Sequence, residues 1–128
     1  MKTLIPLVEE KCSENNFTPK KLVDFLKTFF GESSLERSIV TWQSKIRMRV
    51  LILQKNIFFI FEYTKADDKV KVTSIHIKSI DKIEESFDGS NYTCDYYSND
   101  EKILNIDTIK VSLIDVLRDL TNSILARM

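Results

Sequence analysis

The chain has few residues of the kinds that build catalytic or metal sites. Its 128 residues include one histidine, His76, and two cysteines, Cys12 and Cys94. Histidine is the usual general base, and zinc sites need several His or Cys ligands at short spacings, so these numbers argue against both kinds of site. Two distant cysteines also indicate reduced thiols rather than a disulfide framework. We therefore expect no catalytic residue, no metal and no cofactor.

Glycine and proline are equally scarce, at two residues each. Gly31 and Gly89 stand alone, so there is no glycine-rich phosphate loop, and little room remains for a flexible linker. No apolar run approaches the roughly 20 residues that cross a bilayer, and the apolar stretch in MKTLIPLVEEK is too short for the core of a signal peptide. The sequence therefore predicts a cytoplasmic protein. Peripheral attachment to a membrane remains open.

An excess of charge of either sign is also missing. Nineteen Lys and Arg balance nineteen Asp and Glu, which argues against a broadly basic nucleic-acid-binding protein. The charge is nevertheless distributed unevenly. Residues 32–56 carry five cations and two anions, a net of +3, whereas residues 57–110 carry seven cations and eleven anions, a net of −4. Any attraction for anions is therefore expected to be local.

The basic segment coincides with the strongest β pattern in the chain. Two runs rich in β-branched and aromatic residues lie between Lys45 and Tyr63 and are joined by Gln54-Lys55-Asn56, which predicts a central β-hairpin. Lys45, Arg47 and Arg49 alternate along the first run, so in a strand they share one face. With Lys55 they are the candidate anion-binding or lipid-binding residues. The alternative is a set of solvated strand charges paired with acids such as Glu62.

Three segments have helical periodicity: residues 3–14, 18–30 and 112–128. For the second, Thr18 is a suitable N-cap, Pro19 fits the first helical position and Gly31 is a C-terminal stop. For the last, Ser112 and Asp115 suggest a capping box, and the inward residues are predicted to be Leu113, Leu117, Leu120 and Ile124. The second helix has a wide apolar face that includes Phe25, Phe29 and Phe30. That face must be covered by the sheet, by the first helix or by a partner, so these rings are the candidate partner-binding residues.

Between the second and third helices the hydrophobic period is two. Turn signals divide this region into seven short antiparallel strands, predicted at residues 38–43, 45–53, 57–63, 69–77, 79–85, 91–97 and 101–106. We expect one globular unit, in which an N-terminal helical hairpin of residues 1–31 packs on a β domain of residues 32–128.

Seven strands followed by one C-terminal helix is the order of elements in the pleckstrin-homology (PH) superfold. The segment IRMRVLILQKNIFFIFEY followed by VTSIHIKSIDKIEES resembles the strands of the non-typical PH domain of CARMIL-type actin-capping regulators. It is also similar to the GRAM and bacterial PH-like groups. The resemblance implies an α+β fold, a seven-stranded antiparallel PH-like barrel or sandwich with a C-terminal capping helix, to which two N-terminal helices are extra. Lys45, Arg47 and Arg49 are similar to the basic pattern of phosphoinositide-binding members.

The resemblance implies a non-enzymatic adaptor or scaffold that docks on a protein partner or on anionic, phosphoinositide-bearing membrane. A second hypothesis is a small chaperone or immunity-type protein that holds one protein partner as a homodimer, with the apolar second helix as its contact surface. A third is a small-ligand pocket between sheet and helix. The hypotheses differ in the surface used, which the tertiary arrangement of these residues must decide.

Overall fold

The computed structural model describes residues 4–31, 37–108 and 111–128. Its helices and strands follow one another in the order that the periodicities predict, and the α+β class is confirmed. The elements are α1 (Leu4–Ser13), α2 (Lys20–Phe30), β1 (Arg37–Ser44), β2 (Arg47–Gln54), β3 (Ile57–Thr64), β4 (Lys69–His76), β5 (Lys82–Phe87), β6 (Tyr92–Ser98), β7 (Glu101–Thr108) and α3 (Val111–Leu125).

The seven strands form two antiparallel sheets, one with the order β1-β2-β3-β4 and one with the order β5-β6-β7. Of the two arrangements expected, a barrel or a sandwich, the closed barrel is therefore wrong. The strand ladder is interrupted between β4 and β5, where Ile77–Ser79 form a 3-10 turn and the Ile80 amide donates to the Ile77 carbonyl at 3.0 Å. The chain leaves the strand ladder at this point. Ile77 and Ile80 are both buried, at a spacing of three rather than two.

The chain divides into two compact units, Met1–Ser74 (unit 1) and Ile75–Met128 (unit 2). In unit 1, α1 and α2 cover one face of the four-stranded sheet. The shared core comprises Leu4, Val8, Cys12, Leu22, Val23 and Leu26 from the helices, and Val40, Trp42, Met48, Val50, Ile52, Phe61 and Tyr63 from the strands. The strand residues alternate along β1, β2 and β3, as the two-residue period of a strand requires.

Trp42, the single tryptophan, fastens the first helix to this sheet. Its side chain is buried, and its indole Nε1–H donates to the Lys11 carbonyl at 2.8 Å, near the end of α1. The same carbonyl also accepts the Glu14 amide at 3.3 Å. The indole therefore adds a second, shorter hydrogen bond at the end of the helix while its rings fill the core.

Helix α2 begins and ends close to the predicted residues. Its N-cap is Pro19 and no side chain caps it, so the prediction that Thr18 caps the helix is wrong. At the other end Gly31 has φ of 59° and its amide donates to the Lys27 carbonyl at 2.8 Å. This left-handed conformation favours glycine, and the predicted stop is confirmed.

In unit 2, α3 packs on the three-stranded sheet. Leu117, Leu120 and Ile124 are buried as predicted, whereas Leu113 is half-buried. The Thr121 hydroxyl lies 3.2 Å from the Tyr96 hydroxyl and 3.7 Å from the Cys94 Sγ atom, both on β6. These contacts hold the middle of the helix to the central strand. The side chain of Ser112, proposed for a capping box, lies outside the described residues.

Candidate functional site

The β1–β2 hairpin ends in a two-residue turn made of Lys45 and Ile46. Ser44 and Arg47 are directly opposite each other in the ladder, so β2 begins two residues later than predicted and Lys45 is a turn residue. The Lys65 amide donates to the Ile46 carbonyl at 2.8 Å. This bond joins the β1–β2 turn to Lys65, the first residue of the β3–β4 turn (Lys65 to Asp68). The two turns therefore form one surface, which we call the hairpin end.

Three cationic side chains surround the Lys45–Ile46 turn. Lys45 and Arg47 belong to the predicted set and are exposed, and Lys65 is exposed beside them. Among the described residues, no carboxylate lies within ion-pair distance of any of the three. The Lys65 Nζ atom lies 4.4 Å from the centre of the Phe17 ring, a cation–π contact. The hairpin end thus presents positive charge to solvent.

Sequence reasoning missed Lys65 because it is eighteen residues beyond Arg47 in the chain. A signal was present in the antiparallel pairing of β2 with β3, in which Arg47 is opposite Thr64. Any residue that follows β3 must then lie beside the start of β2. Extending the predicted hairpin register by one residue would have found it.

Arg49 does not belong to this exposed set. Its side chain is 9% exposed, and its Nη2 atom lies 3.3 Å from Glu62 Oε2, directly across the ladder. Both faces of β2 are buried from Met48 to Leu53, so the face that carries the basic residues passes from exposed at Arg47 to buried at Arg49. The helices cover the other face of β2. Of the predicted triad, only Lys45 and Arg47 are exposed at the hairpin end.

Lys55 lies at the far end of β2. It occupies the β2–β3 turn with φ of 55°, between Gln54 and Ile57, which pair across the ladder. Eight residues at about 3.3 Å per residue place it roughly 26 Å from Arg47 along the strand. One phosphate-bearing group cannot contact both. The structure therefore does not bring Lys55 together with Lys45 and Arg47.

The predicted partner-binding rings pack on the sheet of unit 1. Phe25 and Phe30 are half-buried and Phe29 is 43% exposed. Edge-to-face contacts join them to the rings of β3: Phe25 to Phe61 at 5.8 Å, Phe29 to Phe61 at 5.2 Å and Phe30 to Phe59 at 5.4 Å between centroids. The apolar face of α2 is thus largely used within the unit. Phe29 is its most accessible ring.

Asp68, in the β3–β4 turn, contacts two side chains of unit 1. Asp68 Oδ1 accepts a hydrogen bond from the Tyr63 hydroxyl at 2.7 Å, and Asp68 Oδ2 lies 3.0 Å from Lys21 Nζ. The Tyr63 hydrogen bond and then the Lys21 ammonium hold the pKa of Asp68 below its usual value. Burial, with the same hydrogen bond, raises the pKa of Tyr63 to about 12. Asp68 therefore stays ionised and fixes the β3–β4 turn beside α2.

We expect Tyr63→Phe to raise the pKa of Asp68 toward its ordinary value of 3.8, because the variant lacks the hydroxyl that stabilises the carboxylate. A carboxyl whose pKa is lowered by folding stabilises the protein above the pKa of the unfolded chain. That contribution is lost as the pH falls through the folded-state pKa. An NMR titration of the Asp68 carboxyl carbon measures the shift. Tyr92→Phe, which removes a hydroxyl in unit 2, is the control and should leave Asp68 unchanged; an unaltered Asp68 titration in Tyr63→Phe would contradict the assignment.

Unit 2 contains a second candidate site, an open cleft of about 380 Å³ between the end of β5 and the first turns of α3. Its lining residues are Glu85, Ser86, Phe87, Tyr92, Ile114, Asp115 and Arg118. Glu85 is ion-paired with Arg118 and accepts a hydrogen bond from the Tyr92 hydroxyl at 2.6 Å. Burial alone would raise the pKa of Glu85, but the Arg118 and Tyr92 hydrogen bonds outweigh it and lower the pKa.

This arrangement does not suit Glu85 as a general acid or Cys94 as a thiol nucleophile. A carboxyl that serves as a general acid needs a raised pKa, whereas Glu85 is held ionised by its partners. The nearby Cys94 is buried, and burial raises the pKa of its thiol, which disfavours the reactive thiolate. The Glu85–Arg118 pair instead joins β5 to α3. The cleft is therefore described most simply as a gap beside a structural ion pair.

The remaining residues singled out from the sequence belong to neither site. His76 is exposed at the end of β4, and Cys12 is a buried free thiol in the core of unit 1. In the described ranges there is no cluster of three His, Cys, Asp or Glu side chains that could hold a metal ion. None of the helices, as far as they are described, combines the length and the apolar character that crossing a bilayer requires.

Comparisons with protein families, with characterised proteins and with solved structures find no match to this chain.

Proposed function

We propose that the protein is a non-enzymatic binding module of PH-like fold that docks on anionic membrane through its hairpin end. One observation carries the proposal: Lys45, Arg47 and Lys65 lie around one turn, and all three are exposed. Among the described residues, no carboxylate lies within ion-pair distance of any of them. In a chain with zero net charge, such a local concentration of exposed cations is not explained by folding alone, since exposed charges contribute little to stability.

The order of the elements supports the PH-like part of the proposal. A four-stranded antiparallel sheet is followed by a three-stranded one and by a C-terminal helix. Two features differ from the family pattern. PH domains usually keep a tryptophan in the final helix, whereas here the single tryptophan, Trp42, belongs to β1 and packs under α1. The two N-terminal helices are an addition, and they cover one face of the four-stranded sheet.

The magnitude of the attraction suits reversible docking. Each Lys or Arg near an anionic bilayer contributes about 1 kcal/mol, so three cations increase the vesicle affinity on the order of a hundredfold. Asp67 and Asp68 at the same end are exposed and oppose this attraction. Screening acts over about 8–10 Å at physiological salt, so the affinity should fall steeply as the salt concentration rises.

The proposal is tested by sedimentation with vesicles of phosphatidylcholine and phosphatidylserine, with phosphatidylcholine alone as the reference. We expect wild-type protein to bind the anionic vesicles at low salt. The triple variant Lys45→Ser, Arg47→Ser and Lys65→Ser should lose that binding on the order of a hundredfold with little change in melting temperature.

The matched control is Lys27→Ser, Lys55→Ser and Lys78→Ser, which removes the same charge from exposed residues outside the hairpin end. Retained binding in this control would show that the position of the cations matters and not only their number. It would also show that Lys55 lies outside the site. Wild-type protein that does not bind anionic vesicles at low salt would overturn the proposal and favour a protein partner, for which Phe29 offers the accessible ring.

A further inference from the structure

We propose that Ile46 inserts into the bilayer when the hairpin end docks, so that the partner of this surface is a lipid membrane and not a soluble polyanion. The inference rests on the proposed function and adds to it the nature of the partner. Ile46 is 53% exposed and lies between Lys45 and Arg47 in the chain. An apolar side chain surrounded by cations is complementary to an anionic membrane, where phosphates lie above hydrocarbon.

The turn at Ile46 differs from the other hairpin turns of the protein. Two-residue turns favour Gly, Asn and Asp, because these residues adopt the required backbone conformations. The β2–β3 turn is Lys55-Asn56, the β3–β4 turn is Lys65-Ala66-Asp67-Asp68, the β5–β6 turn is Asp88-Gly89-Ser90-Asn91 and the β6–β7 turn is Asn99-Asp100. None of them contains a large apolar residue. Neither the conformational preferences of turns nor solubility therefore explains a large aliphatic side chain in the β1–β2 turn.

Ile46 also has no part in the described core of unit 1, which includes its neighbour Met48 but not Ile46 itself. Its backbone is nevertheless held in place. The Lys65 amide donates to the Ile46 carbonyl at 2.8 Å, and the Ile46 amide lies 3.4 Å from the Ser44 hydroxyl oxygen. Because the turn is already ordered, little conformational freedom is lost when the side chain enters a membrane. The hairpin end thus presents one apolar side chain on an ordered turn, with the cations Lys45, Arg47 and Lys65 around it.

The two parts of the interaction differ in their response to salt. Attraction between Lys45, Arg47, Lys65 and lipid phosphates is screened as salt rises, whereas burial of apolar surface is not. Transferring the exposed half of an isoleucine side chain out of water increases affinity about tenfold. Membrane binding by wild-type protein should therefore keep a component that resists salt, and this component should depend on Ile46.

The experiment compares full-length wild-type protein with Ile46→Ser on two probes: vesicles containing phosphatidylserine, and inositol hexakisphosphate as a soluble polyanion. We expect Ile46→Ser to bind the vesicles about tenfold more weakly, with the difference persisting at high salt, and to bind the soluble polyanion as wild type does. Ile103→Ser is the matched control, because Ile103 is also exposed, at 36%, but lies on β7. It should bind vesicles as wild type does.

A second variant, Ile46→Trp, reports the depth of the side chain directly. Its fluorescence should shift to shorter wavelength on anionic vesicles and be quenched by brominated acyl chains, beyond the change seen for Trp42 in wild-type protein. Equal vesicle affinity of wild type and Ile46→Ser, or an unquenched Ile46→Trp, would overturn insertion and leave electrostatic docking intact. If wild-type protein binds inositol hexakisphosphate but no vesicles, membrane docking and insertion are both excluded. If it binds neither probe, the proposed function itself fails.

Discussion

Phe61→Ala is expected to lower the free energy of unfolding by about 3–5 kcal/mol. The Phe61 side chain is fully buried and is the ring on which α2 packs, with centroids of Phe25, Phe29 and Phe30 at 5.8, 5.2 and 6.0 Å. Removing it leaves a cavity that three rings of one helix cannot fill together. The loss is a large part of the roughly 5–15 kcal/mol that stabilises an ordinary domain.

The measurement is denaturant unfolding followed by the fluorescence of Trp42, which lies in the same core as Phe61. The control is Phe87→Ala, the same substitution at a ring that is 60% exposed, for which we expect a change within about 0.5 kcal/mol. A Phe61→Ala variant no less stable than Phe87→Ala would mean that the helices do not depend on this contact.

Leu120→Ala is expected to lower the free energy of unfolding by about 2–5 kcal/mol. Leu120 is 1% exposed, one residue before Thr121, whose hydroxyl contacts Tyr96 and Cys94 on β6. The substitution therefore removes a buried side chain where α3 is held to its sheet. Differential scanning calorimetry measures the loss, since it registers unit 2 without requiring a tryptophan there.

Val116→Ala is the matched control for the same helix. Val116 is 45% exposed, and alanine has the higher helix propensity, so this variant should be as stable as wild type or slightly more stable. Comparable losses for Leu120→Ala and Val116→Ala would indicate a general effect of shortening side chains in α3. They would contradict the assignment of Leu117, Leu120 and Ile124 as its inward residues.

Secondary structure was predictable here because the signals are local. All seven strands and all three helices occur at the predicted places, with ends within three residues of those expected. Strong alternation of β-branched and aromatic residues marks β1 to β3, and a helical stripe marks α3. One local signal misled: Ile75 and Ile77 continue the alternation of β4, yet the chain enters a 3-10 turn at Ile77. That turn separates the two sheets.

The candidate site depended more heavily on tertiary structure. The sequence indicates which residues of β2 share a face, but it does not indicate where along the strand burial begins. Arg49 therefore looked equivalent to Arg47, although it is buried and paired with Glu62 across the ladder. Lys55 looked near because it is close in sequence, whereas a strand carries it to the opposite end of the sheet.

The sequence by itself determined the elements, their order, the amphipathic faces of the helices and the local excess of positive charge before residue 57, because these follow from periodicity and composition. Only the tertiary structure decided which charged residues share a surface. Lys65 joins Lys45 and Arg47 through a backbone hydrogen bond between two turns, and Ile46 stands exposed between them. The physical reason is that strand pairing and burial bring together residues far apart in the chain, and neither is encoded in the spacing of a single segment.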